Sequence, residues 1–239
     1  MVAWSDPGYA AVIREVHERA GLVFSPARRT SVENTIYRAM LRAGASDSTL
    51  FAERIRADAA LRNALIGELT VGESYFFRDP SQFTLIEREI VPDLLARRGP
   101  DAPLRVWSAG CASGEEPYSL AILFERMGQA GRARITGTEI SAPRLEAARH
   151  ARYGRWALRG VPTEIVDACF EPNGRHFDLA PRLRDAVEFR RLNLAEDAYP
   201  APEQGLAELD LILCRNVLIY FDLDTVRAVA ARLLASLAE

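Results

Sequence analysis

The sequence has no lysine, few cysteines and no long apolar run. All 30 of its basic residues are arginines, among 239 residues with a net charge of −3. That charge argues against a protein that coats nucleic acid or an anionic membrane. Three cysteines without a C-x-x-C spacing give neither a disulfide framework nor a zinc site, so we expect no metal and a cytoplasmic location. No apolar run approaches the roughly 18 residues of a membrane span, and no export signal is present.

The first part of the chain has a helical pattern. Asp6 is a suitable N-cap, Pro7 suits a first helical position, and Gly21 ends the helix. Apolar residues recur at helical spacing in this region, and strand-like alternation is missing. We therefore predict an all-α domain over residues 1–75, with a connecting loop at Thr70 to Asp79.

The remainder alternates between strand and helix patterns. A helix is predicted from the cap Asp79 to about Arg97, and further helices from Glu115 and over Ala142 to Arg152. The predicted strands are Leu104 to Ser108, Arg134 to Thr138, Val187 to Leu192 and Leu209 to Cys214. This alternation predicts an α/β domain over residues 76–239, with a parallel sheet covered on both faces.

Residues 153–185 interrupt the alternation with glycines and prolines. Within them, Asn173-Gly174 stands between two short apolar segments and predicts a two-residue hairpin turn. We therefore predict a small antiparallel insertion on the parallel sheet.

The stretch R-V-W-S-A-G-C-A-S-G-E-E-P-Y-S predicts a buried strand, a glycine turn and a helix start. Gly110 and Gly114 allow a tight turn, and Ser113 is a suitable N-cap with Glu116 as its capping-box partner. In a dinucleotide site, free N–H groups at a helix start face a pyrophosphate. Glu115 and Glu116 would place negative charge there, so the loop favours an adenosyl ligand without phosphate, and in particular a cationic or sulfonium-bearing one.

Polar residues follow two other predicted strands. Glu139 is placed to accept both hydroxyls of a ribose, or alternatively to complement the dipole of the next helix. Arg215 and Asn216 are placed at the ligand edge of the sheet, although they could be a surface charge and a turn residue. Tyr220, taken alone, reads as a core aromatic residue.

Five blocks in this order resemble the CheR family of chemotaxis receptor methyltransferases. They are Y-F-F-R-D-P-S-Q-F, A-G-C-A-S-G-E-E-P-Y-S, G-T-E-I-S, L-N-L and C-R-N-V-L-I-Y-F. The resemblance implies a helical N-terminal domain and a Rossmann-like domain carrying a small β-subdomain. It also implies an S-adenosylmethionine-dependent protein-glutamate O-methyltransferase, which yields S-adenosylhomocysteine and modifies chemoreceptors for sensory adaptation. The implied partner is the cytoplasmic domain of a chemoreceptor or a receptor-like protein, and we expect a monomer without nucleic acid or membrane insertion.

The resemblance also assigns residues. Those implied to hold the cofactor, counting the glycine turn, are Gly72, Ser74, Arg78, Gly110, Glu116, Glu139, Asn193, Leu194, Arg215 and Asn216. Glu116 would contact the methionyl end, Glu139 the ribose, and Asn193 with Leu194 the adenine. Arg78 and Tyr220 are implied to be catalytic, Arg78 by holding a carboxylate and Tyr220 by facing the reacting methyl group. The alternative for Arg78 is a salt bridge with Asp79 or with a neighbouring helix.

The sequence departs from the family pattern at several points. Glu139 stands where aspartate is common, and Gly72 where asparagine is common. The hairpin is short, so we do not expect tethering to a receptor's C-terminal peptide. The chain stops in an apolar helix where the family has further strands, so we expect C-terminal strands to be missing and a sheet edge to be exposed.

The sequence shows no catalytic base or triad, which fits methyl transfer to glutamate. A glutamate substrate is already ionised at neutral pH and needs no base. The alternative is a non-catalytic signalling module that keeps the cofactor pocket.

The predicted second helix has a group of arginines. They form either a docking face for an acidic receptor or a solvated surface, and they are Arg28, Arg29, Arg38 and Arg42.

Overall fold

A computed structural model describes Trp4 and residues 6–70, 72–99 and 102–238. Val71, in the predicted connecting loop, and the terminal Glu239 lie outside the described residues. The helices of the first part are α1 Pro7–Ala20, α2 Arg29–Arg42, α3 Ser48–Ala57 and α4 Ala59–Leu69. No helix in the described parts of the chain is long and apolar enough to cross a membrane.

The ends of α1 are those that the sequence predicts. The Asp6 carboxylate accepts a hydrogen bond from the Tyr9 N–H at 3.0 Å, and Gly21 closes the helix with a φ of 64°. Val12 and Val16 on one face of α1 and Ile36 on α2 are completely buried in a shared apolar cluster. This cluster is the core of the helical part.

The predicted single helix from Pro80 to about Arg97 is interrupted. The chain forms α5 Pro80–Leu85, a π-helical turn Ile86–Ile90 and α6 Val91–Arg98. Pro92 has no N–H to donate, so the α-helical hydrogen bonding is broken at the start of α6. Asp79 is not the N-cap that the sequence predicts, because its φ is 57° and its side chain bonds to Arg215 instead of the helix start.

The remaining elements alternate as predicted. The strands are β1 Leu104–Ala109, β2 Ala133–Glu139, β3 Arg152–Gly154, β4 Phe170–Asn173, β5 His176–Leu179, β6 Val187–Arg191 and β7 Leu211–Leu213. The helices are α7 Glu115–Arg126, α8 Ala142–His150, α9 Thr163–Cys169, α10 Pro181–Arg184 and α11 Leu223–Ala235. The main sheet is parallel, with the strand order β6-β2-β1-β7.

The main sheet is covered on both faces. Val106 and Trp107 are neighbours on β1, so their side chains point to opposite faces. Val106 packs in the cluster that holds Leu120 of α7, whereas Trp107 packs in the cluster that holds Val229 of α11. This arrangement confirms the predicted α/β class.

The insertion is a three-stranded antiparallel sheet of order β3-β5-β4, which we call the β-subdomain. Its first strand begins at Arg152, one residue before the predicted range of 153–185. Its hairpin has the predicted two-residue loop, but the loop is displaced by one position. Asn173 pairs with His176, so the turn residues are Gly174 and Arg175 rather than Asn173 and Gly174. Gly174 has a φ of 61°. The first position of such a turn requires a positive φ, which glycine adopts without strain.

The last described residues lie beside an outer strand. β7 is at one edge of the main sheet, and Leu209 just before it hydrogen-bonds with Ser236 and Ala238.

Candidate active site

One pocket at the carboxyl edge of the main sheet collects every residue that the sequence analysis selected. Its lining includes Gly72, Ser74, Arg78, Gly110, Glu116, Glu139, Asn193, Leu194, Arg215, Asn216 and Tyr220. These residues come from five separate segments. Four of them lie at the ends of β1, β2, β6 and β7, which meet because the parallel strands end at one edge, and the fifth is the loop from Gly72 to Arg78. Their individual roles remain predictions.

The glycine turn after β1 is tightly enclosed. Gly110 has a φ of 78°, and a Cβ atom placed on it would lie 2.4 Å from Cγ2 of Val217. The N–H groups of Gly110 and Cys111 both donate to the carbonyl of Thr138, at 2.8 and 2.9 Å. The turn is thereby held against the end of β2, beside Glu139.

The start of α7 differs from the predicted capping box. Gly114, with a φ of 92°, occupies the N-cap position, and neither Ser113 nor Glu116 caps the helix. Glu116 instead accepts a hydrogen bond from the Ser108 hydroxyl at 2.7 Å and one from Arg215 at 3.1 Å. Burial raises the pKa of Glu116, and these two partners oppose the increase.

Glu139 is buried at the end of β2, as predicted. Its Oε2 accepts from the Ala112 N–H at 3.1 Å, and its Oε1 accepts from the Ser141 N–H at 3.0 Å. Since each carboxylate oxygen has two lone pairs, both oxygens can accept one more hydrogen bond. Ser141 precedes α8, so the same side chain fixes the start of that helix and can still receive two hydroxyl groups.

Arg215 is not a surface charge. Its side chain is 13% exposed and donates to Glu116, to Asp79 at 2.7 Å and to the carbonyl of Arg78 at 2.5 Å. Asn216 has a φ of 58°, which agrees with its interpretation as a turn residue, and it also lines the pocket.

Arg78 does not form the alternative salt bridge with Asp79. Its guanidinium donates to the carbonyl of Glu73 at 2.9 Å and lies 5.8 Å from the centre of the Tyr75 ring. Within the described residues, Arg78 makes no ion pair with a carboxylate. Both neighbours, Phe77 and Asp79, have positive φ values of 54° and 57°. Such backbone strain in non-glycine residues is concentrated at functional sites.

Tyr220 lies between the pocket and the helical part. It is partly buried, packs against the helical cluster and has its ring 6.0 Å from the guanidinium of Arg28. Its carbonyl accepts a hydrogen bond from Val23. Tyr220 is therefore neither a fully buried core residue nor a free surface residue.

Asn193 uses its side chain to join two parts of the fold. Its amide nitrogen donates to the carbonyl of Arg19 at 2.6 Å, and its amide oxygen accepts from the Ala195 N–H. Leu194 is buried next to it. If this segment borders an adenine, the Asn193 side chain holds the segment in place rather than offering its amide nitrogen to the ligand.

The pocket also contains residues that the sequence patterns did not select. Cys111, Ala112, Ile140 and Arg144 line it. Ala112 has a φ of 49°, an uncommon value that no sequence pattern would reveal. Burial raises the pKa of the Cys111 thiol, and it raises that of Cys214, at the end of β7, to about 12, so both remain protonated at neutral pH.

The arginines of the predicted docking face, of which Arg28 lies just before α2, are largely engaged within the molecule. Arg29 pairs with Glu33 at 3.1 Å, Arg42 pairs with Glu68, and Arg28 donates to the carbonyl of Leu69. This engagement reduces the free positive charge of the predicted docking face.

A parallel sheet with a glycine turn after its first strand and a buried carboxylate after its second fits a Rossmann-like domain that binds an adenosyl cofactor. The SAM-binding domain of CheR methyltransferases matches residues 72–239, and the all-alpha CheR domain matches residues 7–70. The chain therefore belongs to the CheR methyltransferase family. It is an S-adenosylmethionine-dependent methyltransferase, as the sequence analysis predicts.

Named relatives agree with this assignment. Chemotaxis protein methyltransferase 1 of Pseudomonas aeruginosa is 32% identical, over 91% of this chain and 81% of the relative. The chemotaxis protein methyltransferase of Salmonella typhimurium is also 32% identical, over 94% and 77%. A solved magnesium protoporphyrin IX methyltransferase from Synechocystis aligns with 75% of this chain and 56% of its own, at 17% identity and a TM-score of 0.35.

Proposed function

We propose that this protein transfers the methyl group of S-adenosylmethionine to glutamate side chains in the cytoplasmic domain of a chemoreceptor, as part of sensory adaptation. The observation that carries the proposal is the position and the lack of a carboxylate partner of the Arg78 guanidinium in the described structure. It lines the cofactor pocket without a carboxylate partner among the described residues, while its neighbour Asp79 is bound by Arg215. A guanidinium placed in this way is suited to hold a substrate carboxylate.

The chemistry needs little from the protein beyond placement. S-adenosylmethionine supplies a methyl group on a sulfonium. An acceptor glutamate has an ordinary pKa of about 4.3, so it is already a nucleophile at neutral pH and needs no general base. Protonated Cys111 and Cys214 offer no competing thiolate. A pocket without a catalytic base or triad is therefore sufficient for this reaction.

We assign some pocket residues to the cofactor and others to the acceptor glutamate. We assign the ribose hydroxyls to Glu139, the methionyl end to Glu116 and Ser74, and the adenine to the segment of Asn193 and Leu194. The enclosed turn at Gly110 brings backbone close to the ligand. Because Glu139 keeps free lone pairs on both oxygens, it suits two hydroxyl groups.

Arg78 and Tyr220 are assigned to the acceptor. The fixed fork of Arg78 would orient the carboxylate in line with the methyl group, which lowers the entropic cost of reaction. Tyr220 also lines the pocket, on the segment after β7, and its hydroxyl group would border the reacting atoms. Gly72, Ser74 and Arg78 line the pocket, and their loop would help to exclude water from the charged reactants.

The test is transfer of labelled methyl to the cytoplasmic fragment of the cognate receptor, measured as methanol released by base. We expect transfer by the wild type and a fall in kcat/KM of about 100-fold or more for Arg78→Ala. Tyr220→Phe should lower turnover with little change in cofactor affinity. Arg88→Ala, an exposed arginine outside the pocket, is the matched control. Full activity in both Arg78→Ala and Tyr220→Phe would refute these two assignments.

A non-catalytic cofactor-binding signalling module is the alternative. It predicts tight binding of S-adenosylhomocysteine and no transfer to any receptor fragment. We favour the enzyme because Arg78 and Tyr220 are both present at the pocket. We also propose that the protein acts as a monomer in the cytoplasm, in keeping with its three free cysteines.

A further inference from the structure

The space beside Gly72 is filled by a side chain from elsewhere in the fold. A Cβ atom placed on Gly72 would lie 0.8 Å from Nη1 of Arg144 and 1.7 Å from its Cζ. The guanidinium of Arg144 thus stands where any side chain at position 72 would begin. The two positions cannot both carry a side chain in this arrangement.

Arg144 connects two parts of the molecule. It is the third residue of α8, and its Nη2 donates to the carbonyl of Thr70 at 3.2 Å, just after α4. The two helices are close here, since a Cβ atom on Gly67 would lie 3.0 Å from the Ser141 hydroxyl. Arg144 is therefore fixed against the end of the helical part, beside the start of the loop that lines the pocket.

Within the described residues, no ion pair neutralises the charge of Arg144. The residue lines the same pocket as Glu116 and Glu139. Burial raises the pKa of the nearby Glu115, and the positive charge of Arg144 is among the causes that oppose this increase. A guanidinium carries five N–H donors. Nη2 of Arg144 donates to the Thr70 carbonyl, and Nη1 lies on the side that faces Gly72 and borders the pocket.

We infer that Arg144 is a further ligand-binding residue of the methyl-transfer site, which takes the place of the missing side chain at position 72 and binds a carboxylate in the pocket. Two carboxylates are available there, that of the methionyl end of the cofactor and that of the acceptor glutamate. The second rests on the proposed function. The shared chemistry is a charge-assisted hydrogen bond from a guanidinium that Thr70 already holds in position.

The experiment compares Arg144→Ala, Gly72→Asn and the double variant with the wild type. The readouts are the Kd of S-adenosylhomocysteine by calorimetry, hydrogen exchange of residues 72–78, and KM and kcat for the receptor fragment. Arg149→Ala is the matched control, because Arg149 lies on the same helix and donates to the carbonyl of Phe189 away from the pocket.

We expect Arg144→Ala to weaken binding of one carboxylate about tenfold or more, and to speed hydrogen exchange in residues 72–78. A higher Kd for S-adenosylhomocysteine identifies the carboxylate of the cofactor. An unchanged Kd with a higher KM for the receptor fragment identifies that of the acceptor. Gly72→Asn should be harmful with Arg144 present, because the two side chains collide. It should be tolerated, or partly restorative, with Arg144→Ala, because asparagine refills the vacated space.

The inference is overturned if Arg144→Ala changes neither constant, or if the effects of Gly72→Asn and Arg144→Ala simply add. Wild-type protein that binds S-adenosylhomocysteine but methylates no receptor would contradict the proposed function instead. In that case cofactor binding and hydrogen exchange, neither of which requires turnover, still decide whether positions 72 and 144 are coupled.

Discussion

Nη1 of Arg215 lies 3.1 Å from Oε2 of Glu116, and the two side chains join the end of β7 to the first turn of α7. Both are largely buried, with 13% and 14% of their side chains exposed. The Ser108 hydroxyl, on β1, holds the other oxygen of Glu116. A buried carboxylate that loses its partner is costly, so this pair fixes the charge distribution of the pocket.

Arg215→Met should destabilise the protein by about 3–5 kcal/mol, because it leaves Glu116 buried without its cation. The double variant Arg215→Met with Glu116→Gln should lose less, since the unpaired charge is gone. Urea unfolding followed by circular dichroism measures both. The exposed pair of Arg97 and Asp93 offers the control, and Arg97→Met should cost no more than about 0.5 kcal/mol. Equal stability of the single and double variants would contradict this account.

Glu139→Gln should raise the Kd of S-adenosylhomocysteine about tenfold or more. Glutamine replaces one acceptor oxygen with an amide that cannot accept from the Ala112 or Ser141 N–H group, and one hydroxyl of the ribose loses its partner. Calorimetry measures the affinity. Glu188→Gln on β6, which is exposed and paired with Arg190, should bind as the wild type does. An unaltered Kd for Glu139→Gln would remove Glu139 from the ribose site.

Gly110→Ala should be more harmful than Gly128→Ala. Both glycines have positive φ values, of 78° and 69°, but a Cβ atom at Gly128 meets nothing within 4 Å, whereas one at Gly110 meets Val217 at 2.4 Å. We expect Gly128→Ala to cost about 1–2 kcal/mol from backbone strain alone. Gly110→Ala should add a collision to that strain and also weaken cofactor binding. Thermal unfolding and calorimetry on both variants separate the two contributions.

Glu115→Gln should stabilise the protein at neutral pH and lose this advantage in acid. Burial raises the folded-state pKa of Glu115, so the folded protein holds this proton more tightly than the unfolded chain does. The contribution of Glu115 to stability is therefore fully present below its unfolded pKa near 4.5 and is lost as the pH rises through the folded value. Glutamine cannot ionise and keeps the neutral state throughout.

The measurement is the free energy of unfolding of wild type and Glu115→Gln between pH 4 and pH 8. The difference should be small at pH 4 and grow in favour of glutamine toward pH 8. A difference that shrinks as the pH rises would mean that Glu115 is stabilised as an anion, with the Ser74 hydroxyl and Arg144 outweighing its burial.

The sequence was sufficient for the class of fold and for the set of residues at the pocket. Apolar periodicity determined the helices of the first part and the buried strands after residue 104. Parallel strands place their carboxyl ends at one edge, so Gly110, Glu139 and Arg215 had to meet there. The five motif blocks then identified the family, and the match to the CheR domains confirmed it.

The helix caps that neighbouring residues predict were wrong at two helices. Ser113 and Asp79 both stand where a cap is expected, yet Gly114 caps α7 and Asp79 turns away from α5 with a φ of 57°. Its carboxylate is taken by Arg215, 136 residues later in the chain. The domain boundary at residue 75 and the individual site roles stay predictions.

The sequence by itself determined which segments would form the sheet, the helical part and the cofactor edge, because hydrophobic period and turn chemistry act over a few residues. Only the tertiary structure decided which arginine pairs with which carboxylate at the pocket. Arg215 forms ion pairs with both Glu116 and Asp79. Arg78 has no carboxylate partner among the described residues, and the guanidinium of Arg144 occupies the space beside Gly72. Those choices depend on distances between residues far apart in the chain, which no local pattern encodes.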